Sequence, residues 1–130
     1  MSKLKIIKLG LFAGLFFASI CALPFAPPSY THSGNVTVQQ NSGAYSNTGW
    51  AFAITASDPL FHITNLSKNG SLDFDFEPAV SPTGELTFTP TMNTSGFATF
   101  NVQLEDQSTG EFSGTSTIRI DVEFINAAPT

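Results

Sequence analysis

Apolar and polar residues alternate with a period of two along most of the chain beyond residue 34, the signature of strands that bury one face and wet the other. The cleanest run is TIRIDVEF, where Ile118, Ile120, Val122 and Phe124 fall on one side and Thr117, Arg119, Asp121 and Glu123 on the other. GFATFNVQLE sets Ala98, Phe100, Val102 and Leu104 against Thr99, Asn101, Gln103 and Glu105. LDFDFE sets Leu72, Phe74 and Phe76 against Asp73, Asp75 and Glu77. Shorter runs are NVTVQ with Val36 and Val38, GWAFAITA with Trp50, Phe52 and Ile54, LFHIT with Phe61 and Ile63, and GELTFT with Leu86 and Phe88. No helical period competes with these runs.

Turn-forming clusters fall between them: NSG at Asn41, SDP at Ser57, KNG at Lys68, SPTG at Ser81, NTSG at Asn93 and STGEFSG at Ser108. Ser81-Pro82-Thr83-Gly84 suits a type I turn, because proline presets the backbone at its second position and glycine closes the fourth. About seven short strands punctuated in this way predict an all-β fold, a two-sheet antiparallel sandwich. Each buried Phe or Ile contributes roughly 1.5–3 kcal/mol, so the inward sets suffice for a core. Trp50 is expected in that core; its competing role is a stacking platform for a sugar, with Tyr30 and Tyr45 as further rings.

The first residues change the picture. Lys3, Lys5 and Lys8 precede an uncharged run, LGLFAGLFFASI (residues 9–20), and small residues follow it. This layout predicts a secretory signal peptide over residues 1–22, cleaved after Cys21 or Ala22; the apolar run is short of the ~20 residues that a spanning helix needs. Residues 23–34, opening on LPFAPP, read as a Pro-rich lead-in, and 35–130 as the sandwich domain. Beyond the signal only Lys68 and Arg119 oppose ten acids, a formal charge of −8. So few cations argue against nucleic acid and against anionic membranes as partners. With no cysteine after Cys21 the fold is expected to hold without disulfides, as is ordinary for a bacterial export.

The order of PSYT, NSG, a single Trp50, FEPAVSPTGELTFTPTMNTSGFATFNVQLED and finally IRIDVEFINAAPT resembles one repeat of the cadherin-like and Ig-like tandem domains of large bacterial surface and secreted proteins. The resemblance covers about residues 28–130, and PAVSPTGELTFTP is its most specific part. It implies the Ig/cadherin-like, Greek-key form of the sandwich and a structural and adhesive role, with repeats stacked end to end and calcium at some junctions. The calcium positions it carries over are Glu105, Asp106, Glu123 and Asn126. At two others the family's acids are replaced, by Gln40-Asn41 in the opening and by Ala127 in the closing motif. Oxygen sites lose affinity with each lost charge, so the set reads as degraded and no bound cofactor is expected.

Other chemistry is sparse. His32 and His62 are the only histidines, and His62 is out of phase with Phe61 and Ile63, so it should point away from the core. Asp73, Asp75 and Glu77 share one solvated face, which predicts an acidic stripe and not a pair of carboxylates with separated pKa values. No nucleophile elbow or phosphate-binding loop is present. The residues therefore point to a non-enzymatic structural or adhesion module, secreted or held at the cell surface, whose partner is a surface protein or a glycan. Two other readings are a carbohydrate-binding sandwich and the first repeat of a longer tandem-repeat protein.

Overall fold

A computed structural model describes residues 26–125, all of them strand, turn or connecting segment. The expected signal peptide at residues 1–22, and Asn126 to Thr130, lie outside the described residues. Among the described residues ten strands form: β1 (Ser29–His32), β2 (Val36–Gln39), β3 (Tyr45–Asn47), β4 (Ala51–Thr55), β5 (Pro59–Gly70), β6 (Phe74–Val80), β7 (Leu86–Pro90), β8 (Gly96–Asp106), β9 (Glu111–Phe112) and β10 (Ser116–Glu123). The seven expected runs correspond to β2, β4, β5, β6, β7, β8 and β10. The other three strands are short, and β1 grows inside the lead-in, where prolines stop at Pro28 and leave SYTH free to pair.

In the largest sheet β8 lies between β5 on one edge and β9 and β10 on the other, and β10 in turn pairs with β2. All of these pairs are antiparallel except β2 with β10, which run parallel from Val36 opposite Ile120 to Gln39 opposite Glu123. β3, β7 and β6 make a second sheet, and β1 and β4 a third. Only Thr48, Gly49 and Trp50 separate β3 from β4, and the Ala51 N–H donates to the Gly84 carbonyl at 3.0 Å, so the two smaller sheets adjoin. The first strand thus pairs with β4, and the chain then crosses to pair with the last strand.

One cluster of buried side chains joins the sheets: Phe74, Leu86 and Phe88 from the smaller ones and Trp50 from the β3–β4 connection meet Phe100, Val102, Leu104, Ile118 and Ile120 from the largest. This is the arrangement of a β-sandwich, in which two inner faces interdigitate. The alternation is followed without error in β8 and, as far as Glu123, in β10. Phe124 continues the inward phase but lies one residue past β10 and is 68% exposed.

Two other expected inward residues face water, because bulges interrupt their strands. In β4 three steps, Thr55 to Phe52, oppose two on β1, Ser29 to Thr31, and the extra residue Ala53 adopts φ 53°. Phe52 is consequently half exposed, while Trp50 is fully buried. In β6 the partner on β7 advances only one residue between Phe74 and Phe76, and only two between Phe76 and Ala79. The first bulge reverses the phase and the second restores it, since one slipped residue sends every following side chain to the other face. Phe76 lies between the bulges and is 72% exposed.

The turns follow their sequences with one exception. The Gly84 N–H donates to the Ser81 carbonyl at 2.9 Å, closing the SPTG turn. Gly84 has φ 98°, and a Cβ there would lie 2.2 Å from the Ala51 carbonyl oxygen, so no other residue fits. The exception is KNG: β5 runs through it to Gly70, opposite Gly96, and the chain turns at Ser71 instead.

Candidate functional site

The strands give the domain two poles. β8 runs the length of the sandwich, about 33 Å for its ten steps of strand rise. At one end Asp106 lies opposite Pro59, close to Ser57 and Asp58; at the other Gly96 lies opposite Gly70 and Val122. Ser29 pairs with Thr55 near the first end, and Glu123 leaves β10 at the second, so the described chain enters at one pole and departs at the other.

Glu105, Asp106 and Glu123 do not come together. Glu105 and Asp106 are at the entry pole on opposite faces of β8, and Glu123 is at the exit pole. Asn126 lies outside the described residues. The Glu105 carboxylate meets His62 Nε2 at 2.7 Å on the outer surface, where the imidazole also leans on Phe112. Asp106 is almost fully buried and occupied by protein donors. Its Oδ1 accepts from the Asp58 N–H at 3.2 Å, the Ser108 N–H at 3.0 Å and the Ser108 hydroxyl at 2.6 Å, and its Oδ2 accepts from the Ser57 N–H at 3.1 Å. The Ser108 hydroxyl holds this carboxyl below the usual carboxylate range, and the three backbone N–H groups act in the same sense against the opposing effect of burial. Asp106 therefore ties the turn after β8 to the β4–β5 connection, and a cation would have to displace those donors. Among the described residues no three of His, Cys, Asp and Glu gather within reach of one ion.

The three aromatic candidates are also separated. Trp50 has no exposed face on which a sugar could stack; its Nε1–H donates to the Gly34 carbonyl at 2.9 Å, and the His32 ring stacks on it at 5.2 Å. Tyr30 packs edge-on against Phe61, and its hydroxyl lies in hydrogen-bond reach of the Val102 carbonyl at 3.2 Å and of Ser116 Oγ at 3.1 Å. Burial raises the Tyr30 phenol, with the Ser116 hydrogen bond acting against it. Tyr45 stacks on Phe88 at 4.6 Å. The need to fill a core and satisfy its polar atoms accounts for all three rings.

Asp73, Asp75 and Glu77 are exposed, as the alternation predicts. Lys68 bonds Asp73 at 2.7 Å; the hydrogen bond lowers the Asp73 pKa and raises that of Lys68. Asp75 accepts from the Thr91 hydroxyl at 2.9 Å. An open depression of about 580 Å³ at the entry pole is lined by Ala26, Ile54, Ala56, Ser57, Asp106 and Thr109, among others, and the one carboxylate in its lining is the one already bonded by Ser57, Asp58 and Ser108.

Residues without a sequence motif do more at the exit pole. Gln40, nearly buried, donates its N–H to the Glu123 carbonyl at 2.8 Å and accepts the Ile125 N–H on Oε1 at 3.2 Å. At the other end of the β2–β10 pair, Asn35 Oδ1 accepts the Arg119 N–H at 2.9 Å. Asn41 and Asn93, each at positive φ, bond one another: Asn41 Nδ2 donates to Asn93 Oδ1 at 3.2 Å, and the Asn93 N–H donates to Asn41 Oδ1 at 2.6 Å. The only sequence signal for these contacts is that Asn tolerates the left-handed conformation in turns. No family model matches the chain, and no curated protein or solved structure matches it.

Proposed function

We propose that the protein is a non-enzymatic structural or adhesion module, exported to the cell surface or the extracellular matrix, that carries load between its two poles. The observation behind this reading is the β2–β10 clamp. The strand that enters the main sheet and the strand that leaves it run parallel, with Asn35 fastening one end of the pair and Gln40 the other. Tension applied to the two ends of the domain pulls these strands past one another, so their hydrogen bonds must break together and not one by one. The pairing order, with the first strand on β4, its continuation on the last strand, and β7 between β3 and β6, further supports the Ig/cadherin-like Greek-key reading.

Pulling single molecules of the full chain by residues 26 and 125 tests the load-bearing role. A single abrupt rupture is expected, at a force lowered by Gln40→Pro, which removes the N–H to Glu123 and the Oε1 acceptor of Ile125. Gradual extension at low force, unaffected by Gln40→Pro, would falsify it. Export is read from the mass of the product outside the cell. A chain beginning at Ala22 or Leu23 is expected, and retention of an intact product inside counts against export.

A further inference from the structure

One asparagine stands apart from the others. Asn35 accepts the Arg119 N–H, Asn47 the Gly49 N–H and Asn101 the Thr117 hydroxyl, while Asn41 and Asn93 bond one another. Each of these side-chain amides is held, and each is followed by a residue with a Cβ. Asn65 precedes Leu66, which packs against the core. Asn69 is exposed near the end of β5, its side chain has no hydrogen-bond partner among the described residues, and it begins the one Asn-Gly step of the chain.

The sheet leaves the Gly70 nitrogen accessible. Bonded and non-bonded positions alternate along an antiparallel pair. The Ser71 N–H donates to the Ser95 carbonyl at 3.0 Å, so the next pair inward, Gly70 opposite Gly96, is a non-bonded one. The Gly70 N–H therefore points away from β8, to the side of β5 on which no strand of the described residues pairs. Asn69, opposite Phe97, falls at a bonded position, and its carbonyl holds the Asn69–Gly70 peptide in the sheet. Turning that peptide toward the Asn69 side chain costs one ladder bond next to the strand end, a local opening of low free energy, and glycine absorbs the rotation.

We propose that Asn69 is a site of spontaneous covalent modification, deamidation through a cyclic imide formed with Gly70. The Gly70 nitrogen attacks Asn69 Cγ; the new N–C bond closes the ring as the Cγ–Nδ2 bond breaks. The amide leaves as ammonia, and the Gly70 proton passes through solvent to it. One water molecule then reopens the ring. Cleavage between the Gly70 nitrogen and Cγ leaves aspartate. Cleavage between that nitrogen and the original Asn69 carbonyl carbon leaves isoaspartate, with the main chain running through Cγ.

The fold has no room for the second product. Isoaspartate lengthens the main chain by one carbon where β5 and β8 approach closely. A Cβ on Gly70 would lie 2.8 Å from the Ser95 carbonyl oxygen, and one on Gly96 2.0 Å from that of Asn69. The longer link displaces Gly70 and Ser71. Ser71 donates its N–H and its hydroxyl to the Ser95 carbonyl and accepts the Ser95 N–H on Oγ at 2.9 Å, so these contacts at the exit pole are lost. Aspartate keeps the main chain unchanged and adds only a charge on an exposed surface.

Holding the full chain in mildly alkaline buffer and reading each asparagine by peptide mass spectrometry, with fragmentation that separates aspartate from isoaspartate, tests the proposal. Asn69 should convert about tenfold or more faster than any other asparagine, since glycine alone presents the attacking nitrogen without a Cβ beside it. The rate should rise with pH, as the Gly70 nitrogen gives up its proton more readily. Asn69→Gln, which can close only a larger ring, should abolish the conversion and keep the parent's unfolding temperature. The isolated isoaspartyl product should unfold about 4 °C or more below the parent, whereas freshly prepared Asn69→Asp, with the charge but not the extra carbon, should not. Conversion of Asn69 only after denaturation, conversion led by another asparagine, or an isoaspartyl product as stable as the parent overturns the proposal. None of these readouts depends on export or on the load-bearing role.

Discussion

Strands β8 and β10 and strands β4 and β6 are built from similar alternating sequence, yet they treat it differently. In the first pair the register is unbroken from Gly96 opposite Val122 to Val102 opposite Ser116, and every apolar position of the alternation within it is buried. In the second, bulges at Ala53 and on both sides of Phe76 bring two phenylalanines out of the core. The difference follows from pairing. β8 is flanked along its length by long partners, β5 and β10, which leave no room for an extra residue except at Asn65 on β5. β6 has a single paired neighbour, β7, and β4 pairs with the four-residue β1, so extra residues there cost few hydrogen bonds.

The comparison can be broken most sharply by removing the same side chain from both regions. Phe100→Ala, at 1% exposure in β8, should cost about 3–5 kcal/mol, measured by denaturant unfolding. Phe76→Ala, between the β6 bulges, should stay within about 0.5 kcal/mol. Similar losses from the two variants would mean that Phe76 faces the core and the bulges are absent.

Backbone conformation provides the next contrast. Gly96 has φ 139°, and a Cβ there would lie 2.0 Å from the Asn69 carbonyl oxygen, which is backbone and has no freedom to swing away. Gly96→Ala should cost about 1–3 kcal/mol or more. Ala53, at φ 53°, is the opposite case: Ala53→Gly relieves a left-handed conformation and should stabilise by up to about 1 kcal/mol, despite the added chain entropy. A lower melting temperature for Ala53→Gly would count against the β4 bulge.

A pH-dependent effect is located at the end of β8. The Asp106 pKa is depressed in the fold, so its contribution is present above the ordinary aspartate value of about 3.9 and is lost as pH falls through the folded value. Melting temperature should therefore drop in acid, and Asp106→Asn should flatten part of that drop while lowering stability at neutral pH. An unchanged acid profile for Asp106→Asn would show that its four donors contribute nothing specific. Lys68 and Asp73 should matter least. Their bond is exposed, and salt-dependent loss on Lys68→Ala is expected to be barely measurable.

Much of this architecture is legible in the sequence. The inward sets of β8 and, as far as Val122, of β10, the closing of SPTG by Gly84, the outward His62 and the exposure of Asp73, Asp75 and Glu77 all follow from alternation and turn chemistry, because those depend on neighbours one to four residues away. Three short strands are not legible, since runs of two to four residues carry too little pattern. Nor is the division of Glu105 and Asp106 from Glu123, whose separation is the length of a strand that the sequence does not orient.

Taken alone, the sequence determined the strand class of the chain, its principal turns, its acidity and the apolar residues that had to find a core. Which of them reached it depended on pairing between strands distant in sequence. Phe52 and Phe76 leave the core because partner strands slip past an extra residue, Phe124 because its strand ends, and Trp50, Tyr30 and Tyr45 are committed to packing because other sheets close over them. Tertiary pairing likewise decided that Asp106 is a clamp and that Gln40 fastens the first long-range strand to the last. Alternation is a local property of the chain; register, bulges and poles belong to pairs of strands distant in sequence, and no local pattern encodes them.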